Sequence, residues 1–258
     1  MDRPIPEYGK IAPVYITCFS NGSCGSFISA MIERYCSPWA TNPILPGKYN
    51  SAHRMMMKPN YRSTRKHSFG RMSAKEFFDG MQKSIPWHPS FVETHYFAPV
   101  YMMSKFPEGK ILAITHDLED IKEIATNSFF KFIIGEGYDN LVKQTYSFLQ
   151  SNAFFIADSF TIEDVQKDLA KFLRMGIHIR ESNVIHSGFH LIRDDEKYKD
   201  LVTFINYSDI IRQPEKIMQT LSEFTQAPTT DFIKFEYGQY VERQFQFFEQ
   251  VKEMTSEG

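Results

Sequence analysis

The chain has 258 residues, 42% of them hydrophobic and 15% aromatic, with 24 phenylalanines, so it is long and apolar enough for a sizeable core. Its formal net charge of −2 gives no bulk attraction to nucleic acid or to an anionic membrane, and no apolar run is long enough to span a bilayer. Three cysteines, Cys18, Cys24 and Cys36, are odd in number and lack metal-ligand spacing, and the eight histidines are scattered without paired carboxylates.

Val14 to Phe19 is apolar and β-prone, as a buried parallel strand should be. Small residues follow from Ser20 to Ser26, and then Phe27, Ile28, Met31 and Ile32 fall at helical spacing, which predicts a helix over about 26–36. A polar stretch from Ser37 to Met72 is too long for an ordinary connection, and it carries the one basic cluster, Arg54, Lys58, Arg62, Arg65, Lys66, His67 and Arg71. Ser73-Ala-Lys-Glu76 reads as a capping box for a helix to about Ser84. Phe91 to His95 is a short strand candidate, and Lys110 to Thr115 is the clearest second parallel strand.

From Asp117 a helix should run to about Phe132, and Tyr138 to Gln150 resumes the helical pattern after Gly135 and Gly137. Thr161-Ile-Glu-Asp164 caps a helix expected to end at Arg174, before Gly176. Leu201 to Asn206 is a third strand, Pro214 suits the first turn of a helix to about Gln226, and a last helix fills Asp231 to Met254. Strands alternating with helices predict a three-layer α/β/α sandwich on a central parallel sheet. No linker or repeat divides the chain, so it reads as a single domain with insertions at about 37–72 and 133–200.

The Gly/Ser turn ending the first strand has chemical potential. Such a turn aims several backbone N–H groups at one spot, at the positive end of a helix dipole, where a phosphate or sulfate binds. The same turn also occurs where nothing binds.

Four collinear segments resemble the sulfotransferase family, whose members use 3′-phosphoadenosine 5′-phosphosulfate (PAPS). The turn at 20–26 sits where that family carries Pro-Lys-Ser-Gly-Thr-Thr. Pro89 to His95 is similar to Pro-Arg-Leu-Leu-Lys-Thr-His, and Gly109 to Ile121 to Lys-Ile-Ile-Tyr-Val-Val-Arg-Asn-Pro-Lys-Asp-Val. Ile205 to Phe224 is the most specific, because Tyr207, Asp209, Pro214, Glu215 and Phe224 all keep the family's spacing.

The resemblance implies a P-loop NTPase-like sulfotransferase fold, a nucleotide-binding edge, and transfer of a sulfuryl group from PAPS to a hydroxyl on a small molecule or glycan. His95 matches the catalytic histidine, which takes the acceptor proton; read alone, it is better explained as a strand-end histidine satisfied by the backbone. Gly22, Ser23, Cys24, Gly25 and Ser26 would hold the sulfate end, with the Ser23 and Ser26 hydroxyls bonding to it. His116 and Ser128 would face the 3′-phosphate, and Tyr207 would shape the pocket.

Cation positions depart from the family. Gly22 stands in place of Lys or Arg, Glu93 in place of Lys, and His116 in place of Arg, a weaker phosphate partner. Either the 54–71 stretch supplies the missing charge, or the chain is a catalytically degenerate member with a binding or structural role. No metal is expected. The opening Met-Asp-Arg-Pro-Ile-Pro is not a signal peptide, which predicts a cytoplasmic protein with reduced thiols and no membrane or nucleic-acid partner. The aromatic last helix permits a homodimer.

Overall fold

A computed structural model describes residues 14–36, 90–95, 97–133, 137–152, 159–192 and 196–256. The expected helix after Ser73 and the basic stretch at 54–71 lie outside the described residues.

Four strands, β1 (Val14–Phe19), β2 (Ser90–Thr94), β3 (Lys110–Thr115) and β4 (Val202–Asn206), form one sheet in the order β2-β1-β3-β4, every pair parallel. Alternate side chains of the central strands enter different cores. Tyr15, Phe19, Leu112 and Ile114 pack on one face, while Val14, Ile16, Cys18, Ile111 and Ala113 pack on the other. Burial on both faces is why these strands read as continuous apolar runs instead of alternating ones. The α/β class with a helix-flanked parallel sheet therefore stands.

Helix α1 (Gly25–Cys36) covers the first face, and its Phe27 stacks on Tyr240 with ring centroids 3.5 Å apart. The second face is covered by Met102 of helix α2 (Pro99–Lys105), by Phe106 and by Phe189. A 3-10 turn, Leu118–Asp120, with a capping box at Asp117, leads into α3 (Ile121–Ile133). Then come α4 (Tyr138–Ser151), α5 (Ile162–Lys167) and α6 (Leu169–His186). After β4, α7 (Tyr207–Arg212), α8 (Pro214–Thr225) and α9 (Asp231–Thr255) complete the described chain.

The Thr161 capping box forms as read, with Thr161 accepting from the Asp164 N–H and Asp164 accepting from the Thr161 N–H at 2.8 Å. The helix it opens ends at Lys167, however, well short of the expected Arg174. Asp168 (φ −139) breaks it, caps the next helix by accepting from the Lys171 N–H, and α6 runs straight through Gly176. That glycine is a packing device. A Cβ there would lie 2.2 Å from Phe129 Cζ, so α6 approaches α3 more closely than any side chain allows.

The three cysteines are free thiols. Among the described residues no helix is long and apolar enough to cross a membrane.

Candidate functional site

Because the strands are parallel and in register, Phe19, Thr94, Thr115 and Asn206 end along one edge of the sheet. Open parallel sheets bind ligands at that edge, where loops leave the strands. The 20–26 turn, His95, His116 and Tyr207 all leave the sheet there, one from each strand.

The turn is built by two left-handed residues, Gly22 (φ 96) and Cys24 (φ 62). Ser20 O accepts both the Ser23 N–H (3.2 Å) and the Ser23 hydroxyl (2.7 Å), which closes the bend. Cys24 O then accepts the Phe27 and Ile28 N–H groups and starts α1. The N–H groups of Gly22, Gly25 and Ser26 donate to no backbone carbonyl among the described residues. Unpaired N–H groups at a helix start are the donor set an oxyanion needs.

Both glycines are required by their surroundings. A Cβ at Gly22 would meet Ile124 O at 2.2 Å and Ser128 Cβ at 2.9 Å, so the turn rests directly on α3 and brings Ser128 beside it. A Cβ at Gly25 would lie 2.0 Å from the Phe19 ring, which forms one wall of the bend.

His95 lies beyond that ring on the same edge. Its Nδ1 is 2.8 Å from Phe19 O, and its ring meets the Phe19 ring edge-on at 4.9 Å. A carbonyl oxygen only accepts, so Nδ1 carries the proton of this bond. The His95 side chain is exposed.

Two serines differ from expectation. The Ser26 hydroxyl donates to Glu93 Oε2 at 3.0 Å and the Ser23 hydroxyl donates to Ser20 O, so both hydrogens are turned inward. The donors facing a ligand are then the backbone N–H groups. Glu93, expected to bring a carboxylate near the turn, is 8% exposed and does so through this bond.

Tyr207 is fully buried; its hydroxyl donates to Glu123 Oε1 at 2.8 Å and accepts from Asn127 Nδ2 at 3.0 Å. Burial, then the nearby Cys24 and Glu123, push its phenol well above the usual 10. It braces α3 beneath the turn. Glu123 and Asn127 escaped the sequence reading, although their i,i+4 spacing on one helix face was a visible signal.

His116 is 0% exposed, and its Nδ1 is 3.3 Å from Asp117 O. Burial holds its pKa below the usual 6.5, aided by His190 and opposed by Asp117 and Asp120. The residues present therefore fit an oxyanion at the turn but offer no cation at His116 for a 3′-phosphate. His190, whose ring centroid lies 5.8 Å from that of His116, had no signal in the sequence. Among the described residues no group of three or more His, Cys, Asp or Glu is placed to hold a metal.

No family model and no curated protein matches the sequence. A sulfotransferase crystal structure from Alicyclobacillus acidocaldarius aligns over 93% of this chain and 94% of its own, at 9% identity and a TM-score of 0.31. A likeness that low assigns no family and transfers no residue.

Proposed function

We propose that this chain is a divergent sulfotransferase that moves a sulfuryl group from PAPS to a hydroxyl acceptor, a small molecule or a glycan. The observation that carries the reading is the pairing of two features on one sheet edge. Among the described residues the Gly22, Gly25 and Ser26 N–H groups donate to no backbone carbonyl, and His95, set one ring away, bonds through Nδ1 to Phe19 O.

PAPS supplies the sulfuryl group. The chain's own part is to hold an oxyanion on the Gly22, Gly25 and Ser26 N–H groups, which favours negative charge on the equatorial oxygens. His95 Nε2 takes the proton from the acceptor hydroxyl as its oxygen attacks sulfur and the bond from sulfur to the 5′-phosphate oxygen breaks, releasing adenosine 3′,5′-bisphosphate, while Nδ1 keeps its hydrogen bond to Phe19 O. Phe19 shields one side of the bend from water. Since His116 offers no cation, no step is routed through the 3′-phosphate. Ser128 and Tyr207 serve as the packed floor of the turn.

Titration calorimetry of the full chain with PAPS and with adenosine 3′,5′-bisphosphate tests this. Micromolar binding, with radiolabelled sulfate passed to a panel of phenols, alcohols and glycans, is the expected result. His95→Ala should abolish transfer and leave binding intact. Binding without transfer would assign the chain a binding role instead. No binding of either nucleotide at millimolar concentration overturns the reading.

A further inference from the structure

Two imidazoles meet at the sheet edge with nitrogens that no described residue satisfies. His116 donates its Nδ1 hydrogen to Asp117 O at 3.3 Å, which leaves the lone pair on Nε2. That Nε2 is buried without a hydrogen-bond partner, and so is Nδ1 of His190. The rings lie 5.8 Å apart between centroids, with planes at 32°. Buried polar atoms are rarely left unpaired, and two on neighbouring rings are open to one shared partner.

The chemistry of the pair selects that partner. An anion is disfavoured, because the Asp117 and Asp120 carboxylates lie close enough to act on His116, and Asp120 is itself 5% exposed. A cation is favoured by the same two charges. Metal-bound histidines characteristically donate their second ring N–H to a backbone carbonyl, as His116 does. Metal–nitrogen bonds of about 2.0–2.1 Å would set two ligating rings roughly 5–6.5 Å apart, and the observed spacing falls in that interval.

We propose that His116 Nε2 and His190 Nδ1 are the two protein ligands of a bound divalent transition-metal ion of the Zn²⁺, Ni²⁺ and Cu²⁺ class. With no third protein ligand among the described residues, the ion's remaining positions are open to water or a ligand. The site stands on the same strand edge as the 20–26 turn, which itself carries no cation. Its binding of metal is independent of the sulfuryl-transfer reading, and the test contains no nucleotide.

The metal-free full chain is titrated with Zn²⁺ by calorimetry. One equivalent bound at micromolar affinity or tighter is expected, weakened at least tenfold in His116→Gln and in His190→Gln. His178→Gln, which alters an exposed histidine bonded to Glu181, should change nothing. Absence of binding, or equal affinity in all the variants, overturns the site. If either ligand variant fails to fold, the spin-resonance spectrum of the wild-type Cu²⁺ form decides. Splitting from two imidazole nitrogens supports the site, and splitting from one or none overturns it.

Discussion

The Ser26 hydroxyl donates to Glu93 Oε2 at 3.0 Å, which ties the first turn of α1 to the end of β2. Both residues are more than nine-tenths buried, so the bond is made in a place where water does not replace it. Replacing Ser26 by Ala strips a donor from a buried carboxylate and should cost about 1.5–3 kcal/mol in denaturant unfolding. Sulfate or nucleotide binding should change little, because the backbone N–H groups remain. A large loss of binding with unchanged stability would show that the hydroxyl faces the ligand after all.

Gly22 supports the turn in two ways, through its φ of 96 and its contact with Ile124 O. Alanine there meets a backbone oxygen that has no room to yield, and the left-handed conformation adds about 1–2 kcal/mol. The Gly22→Ala variant should lose anion binding in calorimetry and melt at a lower temperature. Retained binding would mean that the turn is not the anion site.

Gly176 offers a test of the packing between α6 and α3. Alanine in a helix gains about 0.5–1 kcal/mol over glycine. The added methyl must displace the fully buried Phe129 ring, at an overpacking cost of about 1–3 kcal/mol. Gly176→Ala should therefore be destabilised in thermal unfolding, against the usual trend for such substitutions.

The pH dependence of stability has a definite sign at His116. Its folded pKa is held below the usual 6.5 by burial, so the unfolded chain binds the proton more readily. The contribution is fully present above 6.5 and is lost as pH falls through 6.5 towards the folded value. With a chelator present, unfolding free energy should decline on that acid side, and the slope should flatten in His116→Gln. An identical slope in the variant would show that His116 is not the titrating group.

The strands were legible in the chain, because residues buried on both sides must be apolar, as Val14–Phe19 and the Ile111 to Ile114 centre of Lys110–Thr115 are. The sequence also located the turn and the helix starts, where local chemistry at Gly22, Thr161 and Pro214 restricts the backbone whatever surrounds it. Gly176 misled because a glycine's local meaning is a helix stop, whereas its actual role is set by a ring 47 positions earlier in the chain (176 less 129). Which way hydroxyls point and which side chains meet is fixed by packing between distant segments. The inward bonds of Ser23 and Ser26, the hold of Phe19 O on His95, and the encounter of His116 with His190 are such cases. Each depends on distances between segments remote in the chain, and no spacing within a single segment encodes them.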